Sequence, residues 1–162
     1  MVNTMTVLAY LLTHDPGYAS HLKLQVRAPM NCTQQIESPL LRWGDVPPEA
    51  ASLAIIIKDA PSEKNKRTAE KPHYYWVVYN LPVETTLLPY GSNLTINRHD
   101  VGINSWGNHS YHTQCLNGQS HPVEIELFAV KKRFSAQQPM TGERLEQKIK
   151  GNALAKAKVM SS

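Results

Sequence analysis

The run Ser52-Leu-Ala-Ile-Ile-Ile-Lys-Asp-Ala-Pro61 limits what this chain can fold into more than any other segment. Its apolar, β-branched content predicts a strand over Ala51 to Lys58. Side chains alternate between the faces of a strand, and here both faces are apolar, so the strand must be central and covered on each side. It then stops on Asp59-Ala-Pro61. An acid at the end of a buried strand needs a partner. A ligand in a pocket can supply one; so can the N–H groups of a turn that the acid caps.

Three other segments pattern as strands. His21 to Arg27 alternates, with Leu22, Leu24 and Val26 on one face. His73 to Tyr79 is aromatic and β-branched. Val123 to Val130 places Val123, Ile125 and Leu127 on one face and Glu124 and Glu126 on the other, and Phe128 and Val130 then make that second face apolar, as when a strand passes from rim to core. Ala28 to Trp43 reads as irregular, Val46-Pro-Pro-Glu49 as a break, and Ser62 to Lys71 as a charged loop. Leu81 to Gly118 is a long irregular stretch, of the kind that usually carries function. Thr141 caps a short helix to Lys150 with Leu145 and Ile149 as its apolar stripe, and Ala153 to Met160 is read as a further turn or two beyond Gly151. Strands, long loops and a terminal helix together imply a mainly β sandwich.

A length of 162 residues suits a single domain, 1–162, and 19% charged against 41% hydrophobic residues is a globular rather than a disordered balance. The net charge of +4 sits mainly in Lys64-Asn-Lys-Arg67, Lys131-Lys-Arg133 and the last helix, mixed with acids and without interleaved aromatics, which argues against nucleic acid as a partner. No apolar run approaches the about 18 residues of a membrane span. Met1 to Leu12 lacks a basic n-region and is not read as a signal peptide. Cys32 and Cys115 are too few for a disulfide scaffold. A cytoplasmic location is expected, with the periplasm as the alternative; a homodimer is compatible with the sequence.

The order of Ser38-Pro-Leu-Leu-Arg-Trp43, Ser52 to Pro61, Tyr74-Tyr-Trp-Val-Val-Tyr-Asn-Leu-Pro82 and Ser120-His-Pro-Val-Glu-Ile-Glu-Leu-Phe-Ala-Val130 resembles the phosphatidylethanolamine-binding protein family, whose bacterial branch is called Raf-kinase-inhibitor-like. The likeness runs with gaps from Leu22 to Val159. It implies a two-sheet antiparallel β-sandwich with long loops, a C-terminal helix and a small anion pocket at one end. Asp59-Ala-Pro61 resembles the family's Asp-Pro-Asp-Ala-Pro turn, shortened by two residues. Tyr75 stands where the family has a histidine, and His73 shares its strand face. Tyr111-His-Thr-Gln-Cys-Leu-Asn117 replaces Tyr-Gly-Gly-Pro-Cys-Pro-Pro, keeping Tyr111 and Cys115 but losing the glycines and prolines that let backbone approach an anion. His121 matches a family histidine, followed by Pro122 in place of arginine. The ligand residues implied are Asp59, His73, Tyr75, Tyr111, His112 and His121, with His121 at the same rim as Asp59. The resemblance also puts Cys32 and Cys115 near the pocket loops, where a pair would form only in an oxidising compartment.

Rival constellations use the same residues. His109-x-x-His112-x-x-Cys115 with His121 offers ligands that zinc accepts, but one loop without a second ligand pair is a weak signal. Asp59 and His121 with Ser105 or Ser120 are the parts of a triad, yet no Gly-x-Ser-x-Gly, Ser-x-x-Lys, phosphate loop or His-Glu-x-x-His occurs. The expectation is therefore a soluble, non-catalytic module without metal or cofactor. It would bind a small anionic or phosphoryl-bearing ligand, and the resemblance implies modulation of a kinase or protease. The alternative is an inhibitor that works through surface loops such as Ser62 to Lys71, with a degenerate pocket.

Overall fold

The computed structural model describes residues 21–27, 37–94, 100–135 and 139–161. The elements in chain order are β1 (Lys23–Arg27), β2 (Leu40–Gly44), β3 (Ser52–Asp59), α1 (Glu63–Thr68), β4 (Tyr74–Leu81), β5 (Leu87–Leu88), a 3-10 turn at Ser92–Leu94, β6 (Cys115–Leu116), β7 (Gln119–Ser120), β8 (Val123–Val130), α2 (Gly142–Ile149) and β9 (Ala153–Ser161). One sheet runs β4-β3-β8-β9, a second runs β1-β2-β5, and β6 pairs with β7. Every strand pairing within these sheets is antiparallel.

The apolar run of β3 explains the layering. Leu53, Ile55 and Ile57 turn one face toward Leu41, Trp43 and Leu88 of the three-stranded sheet. Ala54 and Ile56 turn the other toward Phe134, Met140, Leu145 and Ile149. The chain is thus a sandwich with a helix laid on the outer face of its larger sheet. Leu145 and Ile149, both buried, each add roughly 2 kcal/mol of hydrophobic stabilisation to that helix. Thr141 Oγ1 accepts from Arg144 N at 3.1 Å, the expected N-cap. Gly142 is required for another reason: a Cβ there would fall on the Tyr74 ring.

Four expectations are corrected. Ala28 to Trp43 is not irregular throughout, because Leu40–Gly44 is β2, with Leu41 and Trp43 buried and Arg42 exposed. Ser62 to Lys71 contains α1, capped by Ser62 Oγ on Asn65 N (3.1 Å). No residue of α1 is buried, so no apolar stripe announced it. Ala153 to Met160 is not a helical continuation but β9, paired along β8. Alanine and lysine favour helices locally, and the sheet's open edge overrides them. Finally, the polar face of β8 is not at a rim, since Glu124 and Glu126 are 4% and 2% exposed.

Those glutamates are compensated by an ion-pair cluster under α2. Glu126 Oε2 meets Lys156 Nζ at 2.6 Å, and Glu126 Oε1 lies 3.1 Å from Lys58 Nζ, close enough for an ion pair but outside hydrogen-bond geometry. Lys58 also binds Glu146 Oε1 of α2 at 2.6 Å, while the Tyr74 hydroxyl donates to Glu146 Oε2 at 2.9 Å. Glu124 pairs with Lys158 at 3.1 Å. No helix of the described residues is long and apolar enough to cross a membrane.

Candidate functional site

Asp59 ends β3 opposite Val123 of β8 and beside the start of β4, so its carboxylate emerges at one end of the sandwich. The chain brings Asp59, His73 and Tyr75 together there. Asp59 Oδ2 accepts from the His73 amide at 2.8 Å and faces His73 Nδ1 at 2.9 Å. Asp59 Oδ1 accepts from the Tyr75 hydroxyl at 2.9 Å. The Asp59 amide closes the loop by donating to His73 O at 2.9 Å. An ionised carboxylate only accepts, so His73 carries a proton on Nδ1 and leaves Nε2 toward solvent. That Nε2 has no protein partner among the described residues. The His73 side chain is 60% exposed against 18% for Asp59.

Tyr75 takes a role that differs from its expected one. Its hydroxyl is spent on the acid, and burial first, then the hydrogen bond to Asp59, push its ionisation well above the ordinary tyrosine range. It is a fixed donor to Asp59 rather than a free donor to a ligand. Tyr111 is buried and packs edge-on against Trp76, with centroids 5.9 Å apart. Burial raises the Tyr111 hydroxyl to about 12, partly opposed by a hydrogen bond from the Gln114 backbone.

His112 stands over this group. Its amide donates to Tyr75 O at 2.8 Å, and its Nδ1 faces Thr113 O at 2.9 Å, so its Nε2 is also unpartnered among the described residues. The ring lies flat on Trp106, 3.6 Å away and 8° from parallel. Trp106 in turn lies 5.2 Å from the Tyr75 ring and 5.6 Å from His73. Trp106 was absent from the candidates read from the sequence. The available signal was a tryptophan within the polar segment Asn104-Ser-Trp-Gly-Asn-His109, where no core calls for it.

His121 opens the same rim through Pro122, whose carbonyl accepts from Ala60 N at 3.0 Å. Its ring is exposed, and its amide donates to Gln114 O at 2.9 Å. The ring makes no ion pair or hydrogen bond among the described residues, and the imidazole beside Asp59 is that of His73. A cleft of about 260 Å³ opens on the other side of Asp59, lined among others by Lys58, Ser62, Asn65, Lys66 and Glu70.

The rival chemistries find little geometry. Cys115 is in a disulfide, and the chain's other cysteine, Cys32, lies outside the described residues. His109 Nδ1 faces Val101 O at 2.8 Å. Among the described residues no three or more His, Cys, Asp or Glu side chains converge as metal ligands. Ser105 Oγ accepts from Tyr74 N at 2.7 Å and Ser120 Oγ from Gln114 Nε2 at 2.9 Å, and neither hydroxyl has a histidine partner among the described residues.

The antiparallel sandwich is the fold of a known protein family. The chain belongs to the phosphatidylethanolamine-binding protein family, whose model matches residues 19–162. The UPF0098 protein of Chlamydia muridarum is 30% identical over 125 residues, 77% of this chain and 81% of that protein. The UPF0098 protein of Methanothermobacter thermautotrophicus is 29% identical over 141 residues, 80% and 83% of the two chains. Among solved structures, a phosphatidylethanolamine-binding protein homologue of Chlamydia trachomatis superposes with a TM-score of 0.69 at 25% identity, covering 86% of this chain and 94% of the other. Escherichia coli YbcL shares the fold, with a TM-score of 0.66 at 18% identity over 87% and 96%.

Proposed function

We propose that this chain is a non-catalytic binding module whose site at the Asp59 end takes a small anionic or phosphoryl-bearing group. The observation that carries this is the Asp59–His73 pair. The acid orients the ring through Nδ1, and the exposed side chain leaves Nε2 open to exchange a hydrogen bond with a ligand. One or two such contacts, without an arginine, set a weak affinity, on the order of millimolar to high micromolar. Tyr75, Tyr111 and Trp106 shape the rim, and His112 and His121 border it.

The test is a backbone-amide NMR titration of wild type and His73→Ala with inorganic phosphate and with phosphoethanolamine. Saturable shifts at 59, 73–75 and 104–112, lost in the variant, are expected. Response to both probes assigns recognition to the phosphoryl group, and response to phosphoethanolamine alone assigns it to the zwitterion. Flat spectra to tens of millimolar would sink the proposal.

A second role as a protein modulator, of a kinase or protease, is favoured by α1. This helix buries nothing of its own and holds Lys64, Lys66 and Arg67 at the surface next to the cleft beside Asp59. Charge reversal at Lys64 and Arg67 should weaken partner capture while leaving the phosphate titration unchanged. The disulfide at Cys115 supports an oxidising compartment rather than the cytoplasm expected from the sequence.

A further inference from the structure

We propose that His112 is a cap: in the free protein its ring occupies the face of Trp106, and a ligand must displace it to settle on the indole beside His73. This rests on the binding role proposed above and adds the regulation of that same site.

The ledge beneath the cap is fixed. Asn104, 4% exposed, accepts from the amides of Trp106 (2.9 Å) and Asn108 (3.1 Å) and donates to Ser110 O (2.9 Å). Ser105 locks the same turn to β4, its amide donating to Tyr74 O at 2.9 Å and its Oγ accepting from Tyr74 N at 2.7 Å. Trp106 therefore stays where it is, 37% exposed, while Trp43 and Trp76 are buried. An indole held at the surface by a buried asparagine is a platform rather than core.

The cover is held differently. Beyond the stack and a tilted contact with Tyr75 at 6.4 Å, the His112 ring has one hydrogen bond among the described residues, to the carbonyl of the next residue, which belongs to its own loop. Rotation about its side-chain bonds gives up the stack and that local bond and leaves the fold untouched. The stack is also the tightest ring contact at the site: the other pairs lie at 5.2 to 6.4 Å, against 3.6 Å. Trp106 adjoins both His73 and Tyr75, so a group settling against the indole beside His73 competes with the imidazole for one surface. A binding-competent state populated at roughly one part in ten weakens apparent affinity about tenfold.

The experiment compares wild type, His112→Ala and His112→Phe by phosphate and phosphoethanolamine titration, with acrylamide quenching of tryptophan fluorescence as a ligand-free readout. Trp106 is the accessible tryptophan, so quenching reports its cover. Alanine should bind about tenfold tighter and quench more, whereas phenylalanine, which keeps a stacking ring, should do neither. His112→Ser repeats the ring-free case if alanine fails to fold. Unchanged affinity and quenching in the ring-free variant overturn the cap while the binding role stands. Weaker binding in both alanine and phenylalanine also overturns it and makes Nε2 a ligand contact. No binding by any of the proteins to tens of millimolar overturns the binding role and the cap with it.

Discussion

The Tyr75 hydroxyl donates to Asp59 Oδ1 at 2.9 Å while His73 holds the other oxygen of the same carboxylate. Each carboxylate oxygen is thus occupied from β4 or the residue before it, and the acid acts as the hub of the rim. Tyr75→Phe should cost about 1–2 kcal/mol by urea denaturation, because a partly buried carboxylate oxygen loses its donor. Phosphate affinity should change less than about threefold, since His73 keeps its own contact with the acid. A larger loss would mean that the hydroxyl touches the ligand.

Alkaline stability should report on Tyr111. Its ordinary value is 10.0, and in the folded protein burial raises it to about 12. Below the unfolded value both states hold the proton. Between 10 and about 12 the folded chain keeps a proton that the unfolded chain releases, so stability falls as pH rises through that window. The expected loss is on the order of 2 kcal/mol. Urea midpoints measured across the window should fall less steeply in Tyr111→Phe than in wild type; an unchanged slope would rule this assignment out. Tyr74 and Tyr75 shift in the same direction, each by burial first and then by its carboxylate partner.

Lys58 joins β3, β8 and α2 through Glu126 and Glu146. Burial alone would lower its ionisation, but the hydrogen bond and charge of Glu146 and the charge of Glu126 outweigh it, and the net shift is upward. Its stabilisation is present below the ordinary value of 10.5 and is lost as pH rises through the folded value. Lys58→Ala should cost roughly 3 kcal/mol, because Glu126 stays buried with only Lys156 to answer it. Lys58→Met, with similar packing and the same missing charge, separates the charge from the aliphatic stem in denaturation experiments.

Asn80 sits at φ 57° and uses both ends of its amide on Phe134, donating to O and accepting from N at 2.7 Å each. Asparagine tolerates that left-handed backbone better than most residues. Asn80→Ala should therefore lose about 2–4 kcal/mol, and Asn80→Asp should keep the bond from Phe134 N and lose the other. Differential scanning calorimetry would detect either change.

The parts legible in the sequence are those where burial and period agree. β3 and β8 are dense apolar runs, and Thr141, Leu145 and Ile149 spell a capped helix. β2 was hidden by the Ser38-Pro39 turn, although Leu41 and Trp43 alternate with Arg42. β9 was hidden by residues that suit a helix, although Ala155, Ala157 and Val159 alternate with Lys156 and Lys158. At the site, Asp59 was legible because an acid at the end of an apolar strand demands a partner. That His73 rather than His121 supplies it depends on the turn into β4, and the stacking of His112 on Trp106 depends on loop geometry; neither leaves a period to read.

β9 follows every other strand among the described residues, yet it supplies Lys156 to Glu126 and Lys158 to Glu124. During synthesis, β3, β4 and β8 therefore emerge before the two cations that β9 brings to the outer face of β8. A nascent chain released short of Ala153 would present an open β8 edge with Glu124 stripped of Lys158 and Glu126 left with Lys58, a costly form of the sheet. Completion of the sandwich is thereby timed to the end of translation of this segment. A truncated product should be cleared by proteolysis rather than accumulate as a folded fragment.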